Sequence, residues 1–177
     1  MQDTKPSAWV CRFAPLIPVN GQVLDLACGT GRHSILLATL GYRVEAVDRN
    51  PEALGKLVGM ANIDTRLVDL ESDDWPYQHP RFDGIVVTNY LHRQRFDALL
   101  DALLPGGVLI YETFMLGNET LGKPSNPEFL LQPGELLDRV GGRLGVVAFE
   151  QGRVDHPKPA YVQRLCAVAG GIGRLTT

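Results

Sequence analysis

Two carboxylates, Asp25 and Asp48, stand on either side of a glycine turn, Gly29-Thr30-Gly31, near the start of the chain. Such a turn lets the backbone come close to a ligand, because glycine has no Cβ to collide with it. A pyrophosphate site needs the spacing G-x-G-x-x-G and a helix N-terminus without acids facing the phosphates. Here Arg32-His33-Ser34 follows Gly31, so the third glycine is absent, and Asp25 lies four residues before Gly29. An acid at that position repels phosphate and attracts a cationic amino group. Asp48 closes the next apolar run, placed to accept hydrogen bonds from both hydroxyls of a ribose. The set calls for a nucleoside joined to a cationic amino-acid end, with no phosphate between them.

The elements that must hold these residues read from the same stretch. Residues 23–27 (VLDLA) are short, apolar and bounded by glycine, as a buried parallel strand is. Residues 32–40 form a helix with Ile35, Leu36, Ala38 and Leu40 at helical spacing, and Gly41 is its stop. Residues 43–48 alternate as a strand does. Asn50-Pro51-Glu52 opens another helix, with Asn as N-cap, Pro at the first position and an acid near the positive helix end.

An amino-acid cation and a ribose without phosphate describe S-adenosylmethionine (SAM). DLACGTG followed by AVD at this distance resembles motifs I and II of the class I SAM-dependent methyltransferases, and the likeness runs from residue 23 to 114. Leu104-Pro105-Gly106-Gly107 before VLIYETF is similar to the L-x-P-G-G turn of the same family. The resemblance implies an α/β fold: a Rossmann-like, doubly wound, seven-stranded sheet with an antiparallel terminal strand and helices on both faces. The strands read at 23–27, 43–48, 63–68, 82–88, 108–114, 143–149 and 161–169, the last two as a hairpin. It also implies a cofactor site made of Asp25, Ala27, Cys28, Gly29, Thr30, Gly31, Asp48, Arg49, Asp69, Leu70 and Asn89. In the family the acid at Asp69 often meets the adenine amino group and its neighbour packs on the ring; otherwise Asp69 is a loop acid or a cap.

The reacting group should lie beside Thr88-Asn89-Tyr90-Leu91-His92-Arg93, at the carboxyl end of the strand 82–88. This is not the N-P-P-Y motif that holds a planar amino nitrogen, and a D-x-x-Y-type metal-binding arrangement for catechols is not apparent here. His92 and Tyr90 are the candidate general bases. The alternative for His92 is that it caps the helix 94–104, whose Phe96, Leu99, Leu100 and Leu103 form an apolar stripe. Residues 115–133 hold three Pro, two Gly and two Asn with little periodicity, as a substrate lid or a plain connection does. A turn capped by Asn126 carries Phe129, Leu130 and Leu131 in it, and a helix 134–140 with Leu136, Leu137 and Val140 inward follows. Residues 1–20 supply an N-terminal helix with Ser7 as cap and Trp9 and Phe13 on one face, either covering the cofactor or packed on the sheet.

Composition sets the bounds. With 177 residues, 45% hydrophobic and 21% charged, the chain reads as one domain, 1–177. A formal charge of −3 gives no overall case for nucleic acid. No apolar run approaches the roughly 20 residues that span a bilayer, and the first residues do not read as a signal peptide. Cys11, Cys28 and Cys166 are widely spaced, so they read as free thiols in a reducing cytoplasm, with no metal site.

The compact form resembles the small tellurite-resistance and thiopurine-type methyltransferases. That points to a small, soft or anionic acceptor, with Arg32, Arg93 and Arg95 as candidates to attract it. Two readings stand beside it: an RNA or protein methyltransferase working with a partner subunit, with Arg93-Gln94-Arg95 and Lys123 on phosphates, or a SAM-binding protein without catalysis.

Overall fold

The computed structural model describes residues 5–72 and 74–171. One seven-stranded sheet has the order β3-β2-β1-β4-β5-β7-β6. Its strands are β1 (Gln22–Leu26), β2 (Arg43–Asp48), β3 (Ile63–Leu67), β4 (Phe82–Thr88), β5 (Leu103–Phe114), β6 (Leu144–Val154) and β7 (Ala160–Ala169). The first five run parallel, and β7 is antiparallel to both β5 and β6. The chain begins in the middle, builds outward through β2 and β3, then returns to lay β4 on the other side of β1. That reversal opens a crevice at the carboxyl ends of β1 and β4, where sheets of this kind bind ligands.

Both faces of the sheet are covered, which is why its central strands are apolar almost throughout. On one face Leu24, Ile85, Leu109 and Leu165 meet α4 (Phe96–Asp101) and α5 (Glu135–Val140) through Phe96, Leu99 and Leu136. On the other, Val23, Val86, Ile110 and Cys166 meet α1 (Ala8–Phe13), α2 (Arg32–Thr39) and α3 (Pro51–Gly55) through Trp9, Leu37 and Leu54.

Several expectations hold. Ser7 caps α1, accepting from Trp9 N at 3.1 Å. Asn50 caps α3, accepting from Glu52 N and Ala53 N. The β6–β7 hairpin closes the sheet. Trp9 and Phe13 lie against the sheet with ring centroids 4.5 Å apart, and Trp9 Nε1 donates to Leu165 O at 3.2 Å. The N-terminal helix is therefore packed on the sheet; residues 1–4 of the stretch 1–20 lie outside the described residues.

Other expectations need correction. In α2 the inward residues are His33, Ser34 and Leu37, while Ile35 and Leu40 are exposed. Counting apolar residues chose the wrong face, because His33 and Ser34 find polar partners inside. Leu137 is likewise exposed, leaving Leu136 and Val140 as the inward pair of α5. The helix expected at 94–104 is a 3-10 turn, Arg93–Arg95, followed by the short α4. Leu103 already pairs with Phe82 in β5, and the Pro-Gly-Gly sequence is a bulge before Val108 pairs with Gly84. Gly107 is required there: a Cβ would meet Leu104 O at 2.8 Å and Phe82 O at 2.9 Å. β6 also runs to Val154, past the expected end at 149, because β7 pairs with its whole length.

Candidate cofactor and acceptor site

The turn after β1 is built on left-handed backbone. Ala27, Gly29 and Gly31 have φ of 54°, 56° and 79°. Ala27 carries a Cβ into a conformation that favours glycine, so the turn is held there from outside. Cys28 N donates to Val47 O at 2.9 Å, and Gly29 N to Asp48 Oδ2 at 2.8 Å. Asp48 Oδ1 accepts from Asn50 N at 2.9 Å. One carboxylate thus ties the glycine turn to the start of α3. Each of its oxygens keeps a second lone pair for a hydroxyl donor. A Cβ built on Gly29 meets nothing within 4 Å, so the space over the turn is open, whereas one on Gly31 would lie 2.4 Å from Leu57.

Asp25 lies beneath this turn, 1% exposed. Ser34 Oγ donates to its Oδ2 at 2.6 Å. Burial pushes its pKa up to about 7, against the opposing pull of the Ser34 hydrogen bonds. Cys28 is buried as well, and burial pushes its thiol up, away from reactivity. Thr30 is half-buried, and Arg49 is exposed with Nη1 3.5 Å from Glu71 Oε2. Asp69 accepts from Glu71 N at 3.1 Å; that backbone hydrogen bond holds its carboxyl below the usual range and closes the turn after β3. Leu70 is buried in the core beside that turn.

A second group gathers beyond β4 and β5. Glu71, Asn89, Tyr90, Leu91, Thr113, Phe114, Pro124 and Phe129 enclose a cavity of about 190 Å³. Asn89 stands at the carboxyl end of β4 with φ of 55°, its N–H donating to Glu112 O at 2.9 Å. Burial first, then the charges of Glu71 and Asp69, push the Tyr90 phenol up to about 12. A phenol held there stays protonated near neutrality, and its hydroxyl is buried without a hydrogen-bond partner among the described residues. His92 does not line the cavity. Its Nδ1 is buried without a hydrogen-bond partner among the described residues, and it stands at the N-cap of the 3-10 turn without capping it.

Arg93, a candidate for anions, is engaged elsewhere. Its Nε and Nη2 donate to Glu135, and Nη1 and Nη2 donate to the carbonyls of Glu128 and Leu130. The wider, open depression of about 550 Å³ beside it, with Glu128, Gln132, Glu135 and Arg139, is the anchorage of the segment 115–133. Leu130 and Leu131 of that segment are wholly buried, and Phe129 is 49% exposed.

His33 is a site residue that the pattern of the sequence did not reveal. It is 1% exposed. Its Nε2 accepts from Ser7 N at 3.0 Å and its Nδ1 lies 3.3 Å from Thr88 Oγ1, so the ring joins α1, α2 and the end of β4. Accepting at Nε2 leaves the proton on Nδ1, directed to Thr88.

Comparisons with known proteins agree with this geometry. The profile of a methyltransferase domain family matches residues 2–125. The chain is 29% identical over 115 residues to the putative methyltransferase YqeM of Bacillus subtilis, covering 59% of this chain and 47% of the relative. It is 34% identical over 107 residues to a protein-L-isoaspartate O-methyltransferase of Chlorobaculum tepidum, covering 58% and 49%. The chain thus spans about half the length of these curated relatives. TehB from Haemophilus influenzae superposes with a TM-score of 0.78 at 22% identity, over 93% of this chain and 62% of that one, a likeness of fold. Fold, glycine turn and family profile converge: the chain belongs to the class I SAM-dependent methyltransferases.

Proposed function

We propose that this chain binds SAM over the turn 27–31 and directs its methyl group to a small acceptor held in the cavity beyond β4 and β5. The observation that carries the reading is the double engagement of Asp48, which fixes the glycine turn and keeps lone pairs for a ribose. The open space over Gly29 suits a ligand crossing the turn. Asp25, beneath it, supplies negative charge toward a cationic amino group as it ionises.

Bound SAM would supply a methyl group already activated on a sulfonium. What remains for the protein is orientation, which alone contributes up to about 7–11 kcal/mol. Asn89 and Tyr90, at and just after the carboxyl end of β4, would line one side of the acceptor, and Phe129 would cover it. Asp69 and Leu70 would border the adenine, with Arg49 at the rim. The engagement of Arg93 with Glu135 removes one charge from the basic cluster that an RNA-directed reading uses, and so favours a small molecule. Three free thiols suit a reducing compartment such as the cytoplasm.

Calorimetric titration with SAM and with S-adenosylhomocysteine tests the reading directly. Binding of both, with labelled methyl transferred to a member of a small-molecule panel, is the expected result. Binding without transfer to any acceptor would support a SAM-binding protein without catalysis.

A further inference from the structure

The acceptor cavity has a defined charge character. Of the eight described residues that line it, Glu71 alone carries a charge, its carboxylate 3.5 Å from Arg49 Nη1 at the edge of the lining, and Tyr90, Phe114 and Phe129 contribute three aromatic rings. Among the described residues no lysine, arginine or histidine lines it. Arg93 is engaged by Glu135 and the carbonyls of Glu128 and Leu130. Tyr90 stays protonated, and His92 lies outside the cavity. An acceptor that must shed a proton before reacting therefore finds neither phenolate nor imidazole in contact with it. A carboxylate among aromatic rings instead favours positive charge, through direct attraction and through the ring faces. The volume suits one or two fused rings, since a cavity of roughly 150 Å³ takes benzene.

Resting on the SAM reading above, we propose that the acceptor is a small uncharged ring-nitrogen base, of the pyridine or quinoline type, which leaves as an N-methyl cation. The nitrogen lone pair forms the bond to the methyl carbon while the carbon–sulfur bond breaks, and that electron pair remains on sulfur. Positive charge passes from sulfur to nitrogen, and no proton moves. Glu71 and the rings of Tyr90, Phe114 and Phe129 surround the charge as it arrives, so the missing base is a consequence of the chemistry.

The purified chain with SAM is offered pyridine, quinoline, phenol and tellurite, with products read by mass. The expected result is N-methylpyridinium or N-methylquinolinium, at a kcat/KM about tenfold or more above phenol and tellurite. N-methylquinolinium should bind the protein loaded with S-adenosylhomocysteine more tightly than quinoline does. Glu71→Gln should reduce that preference and the turnover about fivefold, compared at saturating SAM. A preference for phenol or tellurite, no methylation of either ring base with SAM bound, or an unaltered Glu71→Gln overturns the proposal. Failure to bind SAM overturns the cofactor reading itself, and calorimetry with SAM alone tells the two apart.

Discussion

Arg93 donates through Nε and Nη2 to both carboxylate oxygens of Glu135, at 2.7 and 2.9 Å, and its remaining hydrogen bonds run to the carbonyls of Glu128 and Leu130 at 2.6 and 2.7 Å. One guanidinium thus joins the loop after β4, the segment 115–133 and α5. Burial would raise the Glu135 carboxyl, but the hydrogen bonds from Arg93 and Gln132 outweigh it and hold the group below its ordinary value. With Arg93→Ala, the carboxylate keeps Gln132 N at 2.9 Å and Arg139 at 3.4 Å. The expected loss is about 1–3 kcal/mol in urea denaturation, toward the lower end because Arg93 is 30% exposed. Because the folded value is depressed, the pair's contribution is present above the ordinary glutamate range and disappears as pH falls through the folded value. The mutant and the parent should therefore converge in acid. Arg93→Lys should recover only part, since a lysine cannot present the fork.

Asp48→Ala removes two backbone anchors and both ribose acceptors at once. Hydrogen bonds to a charged group contribute about 1.5–3 kcal/mol each, so SAM affinity should fall by roughly 100-fold or more. Asp48→Asn, which keeps one acceptor oxygen, should fall between. Calorimetry checks both, and unchanged affinity in Asp48→Ala would sink the cofactor assignment.

The parts of this site that could be read from the sequence are those built from neighbours along the chain. The Asn50 cap acts two and three residues along the chain, and the glycine turn joins one strand directly to the helix after it. β4 is legible to the residue because residues 84–87 are buried on both faces and Ile85, Val86 and Val87 are consecutive apolar residues. His33 is not, because its partners Ser7 and Thr88 lie 26 and 55 residues away. Arg93 reads as a candidate to attract an anion for the same reason, its partner Glu135 being 42 residues distant. The bulge at Leu103–Val108 escaped because Pro and Gly at the end of an apolar stripe signal a stop equally well for a turn.

Asp25 gives a signature in pH. Its folded value of about 7 stands above the unfolded 3.8, so between these limits the folded state holds more protons. Its stabilising contribution is full below about pH 4 and is lost as pH rises toward 7. Asp25→Asn should flatten that slope in urea denaturation followed across pH. SAM affinity should move the opposite way, rising from pH 6 to 7 as the carboxylate ionises, below the range of about 7.7–8.0 where an α-amino group loses its own proton. In Asp25→Asn that rise should be absent; a rise equal to that of the parent would exclude Asp25 as the source.

Phe129 separates a lid from a connection. Leu130 and Leu131 belong to the core, and Leu131 N donates to Phe114 O at 3.0 Å, so deleting all of 115–133 would unfold the protein and report nothing about the acceptor. Phe129 is half exposed, lines the acceptor cavity and follows a turn capped by Asn126. Phe129→Ala should leave stability within about 0.5 kcal/mol, as surface substitutions do. Covering an acceptor with a phenyl ring buries apolar area worth about 1.5–3 kcal/mol when complete, so the half-exposed ring should raise the acceptor KM by roughly 4–12-fold on removal. SAM affinity should not change, because Phe129 lines the cavity beside Tyr90 and is not among the groups within 4 Å of a Cβ built on Gly29 or Gly31. Steady-state kinetics against both substrates checks this, and an unaltered acceptor KM would reduce the segment to a connection between β5 and α5.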